Sequence, residues 1–324
     1  MAEPFRLVVA SDIHYAGPAE KARQDYESRA VGNPVLRLAL RWYRHYIWLR
    51  DPLSHTHMLD RFLGAAPDAD LAVVNGDYTC DSAFVGVCDD AAAESARLCF
   101  AKLRQRFGDR LAITWGDHEL GKFSLLGGAG GLRLASYERL RGEFGLEPLW
   151  SRELGPWVLL GVVSTLIALP VYLPEALPEE RSRWEELRRE HLAAITAACD
   201  RLQPDQRLLL FCHDPTALPF LAEEPAVQRV LPQLDTTVIG HLHTPLVLKQ
   251  SRLLAGMPRI TFLGNAVRRF STALRRARLW KPFRVRLCPS LTGCQLLKDG
   301  GFLTAELDPA GRGAARWRFH PLPW

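Results

Sequence analysis

Eight side chains of this sequence have the types and spacing for hydrolytic metal chemistry: Asp12, His14, Asp77, Asp117, His118, His213, His241 and His243. They come in five short clusters: SDIH (11–14), GDYTCD (76–81), GDHE (116–119), CHD (212–214) and GHLH (240–243). Carboxylate oxygens and imidazole nitrogens, with no Cys among them, suit manganese, iron, zinc, cobalt or nickel. The set is too large for one tetrahedral ion. It suits two ions bridged by a shared carboxylate, an arrangement that clamps a phosphoryl group for in-line attack.

Taken singly, the clusters say little. Ten His in 324 positions give about 0.3 H-x-H by chance. A second H-x-H, His55 and His57, follows no strand and reads as a loop or helix start. A Gly-Asp after a strand is often only a turn. The force lies in five clusters in one order, each at the end of an apolar run. The stretches are FRLVVASDIH (5–14), DLAVVNGD (70–77), RLAITWGDHE (110–119), QRLLLFCHD (206–214) and DTTVIGHLH (235–243), each a strand ending in its cluster. In an open α/β sheet such strand ends converge on the ligand site.

Helical spacing lies between the runs, at 91–107 and over the long amphipathic stretch 179–202. The resulting β-α-β alternation implies α/β sheets covered by helices. WVLLGVVSTLIALPVYL (157–173) falls short of the roughly 20 residues that span a bilayer, and Pro170 interrupts it. It reads as a buried strand running into a loop. The stretch 284–323 has short alternating runs, with KDGG (298–301) as a hairpin turn, so an antiparallel end to the sheet is expected. No linker or repeat divides the chain. The expectation is one domain over 1–324, with a helical insert or lid near 20–60 and a basic, then antiparallel, segment near 265–324.

Composition bounds the partners. Apolar content of 48% and charged content of 24% are those of a globular chain able to bury a sizeable core. A net charge of +5 permits an anionic partner without requiring one. Seven Cys without a C-x-x-C point to reduced thiols and a cytoplasmic protein. MAEPFRLVVASD lacks the charged and apolar regions of a signal peptide.

The order D-x-H, G-D, G-N-H-(D/E), H, G-H-x-H resembles the calcineurin-like metallophosphoesterase superfamily, over residues 5–245. The resemblance implies a four-layer α-β-β-α sandwich of two mixed sheets and two divalent ions, manganese first among them. Asp12, His14 and His243 would hold the first metal, and Asp117, His213 and His241 the second. Asp77 would bridge them. His118 would stay off the metals, near the leaving-group oxygen, donating a proton or stabilising charge. A metal-bridging hydroxide would attack, with no protein nucleophile. Asp117 stands where the family usually has Asn, which should tighten the second cation and lower its Lewis acidity. Glu119 would cap the turn or orient His118. The implied activity is that of a phosphoric ester hydrolase, acting on a monoester, diester or pyrophosphate.

Two further stretches bear on substrate. Residues 33–52, if helical, set Arg37, Arg41, Arg44 and His45 on one stripe among Leu, Trp and Tyr. That composition suits a membrane interface, or else a helix packed beside the site. Residues 268–286 carry seven Arg and one Lys, no acid, and the aromatics Phe270, Trp280 and Phe283. This run fits a solvated surface, an anionic membrane or a single-stranded nucleic acid, the last disfavoured by the mild overall charge. The insert and the basic run invite comparison with the UDP-2,3-diacylglucosamine pyrophosphohydrolases. Those enzymes use a two-metal core beneath an apolar lid, peripheral on the membrane. That branch commonly has Arg and Asp after G-N, where this chain has His118 and Glu119. The expectations are thus a hydrolase of a lipid-linked or small phosphoester or pyrophosphate, cytoplasmic or peripheral on the inner face of the membrane. The alternatives are a nuclease on the same core and a catalytically silent binding module.

Overall fold

The structure, a computed structural model, describes residues 3–324. Ten strands form two five-stranded sheets. In chain order they are β1 (Phe5–Ala10), β2 (Leu71–Asn75), β3 (Leu111–Thr114), β4 (Leu149–Leu154), β5 (Trp157–Val162), β6 (Arg207–Cys212), β7 (Leu234–Ile239), β8 (Val285–Leu287), β9 (Gly301–Leu307) and β10 (Arg316–Pro321). One sheet has the order β10-β9-β1-β2-β3 and the other β4-β5-β6-β7-β8. Both are mixed: β1-β2-β3 and β5-β6-β7-β8 run parallel, while β9, β10 and β4 pair antiparallel.

The period of two along each strand builds the layers. Leu7, Val9, Leu71 and Val73 face Leu159, Leu209, Phe211 and Val238 in a core between the sheets. Their neighbours Val8, Ala10, Ala72 and Val74 face outward, in the cluster that holds Phe62, Phe100 and Leu103. Leu160 and Leu210 of the other sheet lie in that same cluster with Leu187 and Ile195 of the helix Arg181–Asp200. Strands covered on both faces read as continuous apolar runs, which is why the five runs were so plain. A fully buried Phe or Leu contributes roughly 1.5–3 kcal/mol. The arrangement is an α/β fold of two mixed sheets flanked by helices.

The helices start where the sequence offers caps. Asp89 accepts from Ala91 N and Ala92 N at 3.2 and 3.1 Å, opening the helix Asp90–Phe107. Asn33 accepts from Val35 N and Leu36 N ahead of Pro34, opening the helix Pro34–Tyr46. That helix covers the first two thirds of the expected 33–52 stretch. Its Val35, Leu38 and Trp42 are exposed while Leu40 is buried. His57 begins the helix His57–Ala65, whose Met58, Leu59 and Phe62 are core residues.

Three local expectations need correction. After β5 the chain forms two short helices, Ser164–Ile167 and Leu169–Tyr172, not a loop, because that segment must return over the sheet buried. Residues 298–301 do not turn a hairpin. They lead into β9, and the hairpin is β9–β10, closed where Asp308 accepts from Ala310 N, Arg312 N and Gly313 N. β8, in the same stretch, runs parallel to β7. In the basic run, Trp280 and Phe283 are buried among core residues, so only Phe270 is left as an exposed aromatic there. All seven Cys are free thiols. Among the described residues no helix is long and apolar enough to cross a membrane.

Candidate metal centre

The five clusters meet at the C-terminal ends of β1, β2, β3, β6 and β7. The first two are zipped together beyond the strands. Asp12 N donates to Gly76 O, His14 N to Asp77 O and Tyr15 N to Tyr78 O, at 2.7–3.0 Å. The two sheets are then joined across the site. His241 N donates to Asp12 Oδ1 at 3.0 Å, and His213 Nδ1 lies 2.6 Å from Asn75 O. Glu119 ties the second cluster to the third, accepting from Asp77 N, Tyr78 N and Gly116 N at 3.0, 2.6 and 2.7 Å. It therefore caps its turn as expected. His118 is held elsewhere, with Nδ1 3.1 Å from Cys80 O.

Backbone strain is concentrated here. Asp12, His14, Asp77, His241 and His243 all have φ between 48° and 60°. Left-handed backbone at a non-glycine residue costs about 1–3 kcal/mol and clusters at functional sites. Two glycines are required by close approach: a Cβ on Gly116 would meet the Asp77 carboxylate, and one on Gly240 would meet Ser11 Oγ and Asp12 Oδ2.

Two groups of candidate ligand atoms result. Asp12, His14, Asp77 and His243 form one, and Asp77, Asp117, His213 and His241 the other. Within each the atoms lie within 4.8 Å of one another, and Asp77 belongs to both. The chemistry of this donor set fits cations. His14 Nδ1 donates to Thr79 O (3.2 Å) and His213 Nδ1 to Asn75 O, so each Nε2 faces the site and, in the neutral ring, offers a lone pair there. His14 Nε2 faces His243 Nε2 at 3.3 Å, and His213 Nε2 faces Asp77 Oδ2 at 3.2 Å. Facing acceptors call for a cation between them, and at His213, where burial is outweighed by Asp77 and Asp12 and the ring is held well above its ordinary range, a proton takes that place when no metal does. Asp77 Oδ2, Asp117 Oδ2 and His213 Nε2 are buried without a hydrogen bond. Asp12, Asp77, Asp117 and Glu119 are each at most 1% exposed. Among the described residues, the Lys or Arg partner found on these four is Lys122, 3.0 Å from Asp117 Oδ2. Buried carboxylates at this density need paired charge or metal.

Electrostatics follow from that crowding. Burial, then Asp117, push the Asp77 carboxyl up, but His213, through its charge and its hydrogen bond, outweighs them and holds it well below the usual range. Burial, joined by the Lys122 charge, pushes His118 well down and keeps it neutral. Glu119 is pushed up to about 8 by burial and the Asp77 charge, against the N–H bonds it accepts.

A cavity of about 490 Å³ opens over the clusters. His14, His118, His241 and His243 form its floor. Its walls come from the two segments singled out for substrate: Tyr43 and Trp48 at the end of the 34–46 helix, and Val267 and Phe270 of the helix Asn265–Arg275. The Trp48 ring lies 4.6 Å from that of His243. Sequence reasoning missed Lys122 and Tyr172 here, and did not single out Arg269 within the basic run or Trp48 within the 33–52 stretch. Tyr172 OH donates to Asp214 Oδ2, and Arg269 Nε lies 3.3 Å from Glu175 Oε1. No spacing marks them, because each reaches the site from a different loop or helix.

Comparison with known proteins gives the following. The family described as calcineurin-like phosphoesterase matches residues 5–245. Among solved structures, the chain is similar to a dimetal phosphatase from Danio rerio, at 14% identity over 98% of this chain and 96% of that one, with a TM-score of 0.44. It is also similar to a phosphopantetheinyl hydrolase from Mycobacterium tuberculosis, at 17% identity over 75% of this chain and 84% of that one, with a TM-score of 0.38. No curated protein matches the chain.

Proposed function

The chain belongs to the calcineurin-like phosphoesterase family, and from that premise we propose that it hydrolyses a phosphoester or pyrophosphate at two divalent cations, manganese first among them. The observation that carries this is the pair of Asp/His clusters sharing Asp77, with imidazole nitrogens and unpartnered carboxylate oxygens turned toward one another. Asp12, His14 and His243 would hold one ion and Asp117, His213 and His241 the other. When bound, the two ions supply Lewis acidity toward the phosphoryl oxygens and activate water for attack.

The chain's own residues supply the remainder. Thr79 O and Asn75 O fix the His14 and His213 rings in the tautomer that bares Nε2. Cys80 O does the same for His118, whose Nε2 is 3.7 Å from Asp77 Oδ2 and which lines the cavity. From that position the neutral ring can only accept at Nε2, and His118 serves the leaving-group oxygen as a donor once an incoming phosphoryl anion has drawn a proton onto Nε2. Glu119 keeps the Asp77 and Gly116 turns in register. The test is hydrolysis of a chromogenic phosphomonoester and phosphodiester, with manganese or with EDTA, and with Asp77→Ala as the blank. Activity that needs both manganese and Asp77 is expected. Activity that persists in EDTA and in Asp77→Ala sinks the proposal.

The cavity walls support a lipid-linked substrate, of which UDP-2,3-diacylglucosamine is one example. The helix Pro34–Tyr46 shows Val35, Leu38 and Trp42 to solvent beside Arg37 and Arg41, and its end reaches the cavity. An apolar face with basic margins suits the inner face of an anionic membrane. The burial of Trp280 and Phe283 removes the stacking platform that a single-stranded nucleic acid would use. Turnover of a diacylated nucleotide sugar, compared with its deacylated form, checks this reading, as does co-sedimentation with vesicles containing phosphatidylglycerol. Equal turnover with no vesicle binding would leave a small soluble ester as the substrate.

A further inference from the structure

Three basic side chains line the cavity: Arg44, Lys122 and Arg269. Arg44 is held by Glu27 and Arg269 by Glu175, carboxylates outside both ligand groups. Lys122 differs. Its partner is Asp117, which belongs to the second group. The two oxygens of Asp117 are divided between tasks. Oδ1 lies 3.0 Å from His241 Nδ1 and 3.5 Å from His213 Nε2, among the ligand atoms. Oδ2 lies 3.0 Å from Lys122 Nζ, with no aligned hydrogen bond. Asp117 is wholly buried, while the Lys122 side chain is 20% exposed, so the ammonium is the end of the pair that reaches the cavity.

An ammonium carries three N–H donors. One at most is directed at Asp117, and among the described residues no other acceptor lies on Nζ. An anionic oxygen entering beside His118 and His241 would therefore meet a cation with free donors. Any positive charge shared by Asp117 on the ligand side weakens its hold on Lys122 and frees the ammonium further.

Building on the phosphoester reading above, we propose that Lys122 is a substrate-positioning residue: tethered by Asp117, its ammonium takes a non-bridging oxygen of the phosphoryl group. Asp117 and Lys122 together then do what a side-chain amide would do alone at 117, giving one oxygen to the ligand group and N–H donors to the cavity.

The experiment uses the full chain loaded with manganese and inorganic phosphate as the probe, with metal content and phosphate affinity as readouts beside kcat and KM. Lys122→Met should keep its metals and bind phosphate about 10–100-fold more weakly, with KM raised more than kcat is lowered, as the loss of a charge-assisted hydrogen bond implies. Lys122→Arg should recover most of the affinity. Adding Asp117→Asn to Lys122→Met should also recover part of it, since an amide donor replaces a bare carboxylate oxygen. If Lys122→Met binds phosphate like the unaltered chain and loses only thermal stability, the pair is structural and the proposal is wrong. If Lys122→Met loses metal and the double variant regains no phosphate affinity, Lys122 serves the cation site and the proposal is again wrong. An unaltered chain that takes up manganese but binds no phosphate and hydrolyses neither chromogenic ester overturns the phosphoester reading itself, and the Lys122 proposal with it.

Discussion

The floor of the cavity and its walls are built on opposite principles. The floor is five strand ends, strained at Asp12, His14, Asp77, His241 and His243, zipped by backbone hydrogen bonds, with the carboxylates buried and His14, His118 and His241 partly open to the cavity. The walls are helix surfaces, with Tyr43, Val267 and Phe270 carried on elements that leave Val35, Leu38 and Trp42 in solvent. The floor tolerates few residue types at each position, because charge, lone pair and left-handed backbone must all be met at once. The walls combine apolar bulk with the ion-paired Arg44 and Arg269, and carry no such triple demand. Reaction type is therefore written into the floor and substrate choice into the walls.

The largest test of this division is Asp77→Ala. With the shared carboxylate gone, hydrolysis of every ester should fall by on the order of 10³ or more, with metal content reduced. Metal analysis beside the rate assay checks it, and an unchanged rate would erase the distinction between floor and wall. His118→Ala should keep its metals and lose roughly 10²–10⁴ in kcat on all substrates alike. Loss of metal would move His118 into the ligand set.

A smaller effect separates the floor from its scaffold. His191 is buried with Nε2 accepting from Val163 N at 3.1 Å, and burial lowers it to about 3. Between that value and its ordinary 6.5 the unfolded chain binds the proton and the folded chain does not, so stability falls as pH drops through this window. At pH 5 the deficit is about 2 kcal/mol. Denaturation at pH 5 and pH 7.5 should show a difference that shrinks by that amount in His191→Gln. If it does not shrink, the acid sensitivity belongs to the floor carboxylates. The least effect is in the wall. Phe270→Ala should lower kcat/KM for a diacylated substrate about tenfold more than for the chromogenic ester. An equal loss on both would mean that the wall takes part in the chemistry.

The floor was legible in the sequence because each candidate ligand follows its strand directly, so that local order and spatial order coincide. The family resemblance followed from the clusters at those strand ends, and the layered fold from the resemblance. What escaped was nonlocal. Lys122 follows a glycine in a loop and carries no pattern, and only the folded chain sets it on Asp117. Glu119 acts through bonds to residues some 40 positions away. β8 was hidden because three residues beside a basic run do not show which strand they join. The aromatics of the basic run misled because apolar spacing does not show which of Phe270, Trp280 and Phe283 faces the core.

The place of β9 has a consequence for how the chain is made. β1 carries the first cluster, and it is flanked by β2 on one side and by β9, residues 301–307, on the other. Until residue 307 leaves the ribosome, β1 presents an unpaired edge along Phe5–Val9, with nearly 300 residues already synthesised. Such an edge recruits other strands, and pairing of such long range forms slowly. A nascent or truncated chain ending before Gly301 should accordingly need a chaperone or aggregate, even though every candidate ligand has by then been translated.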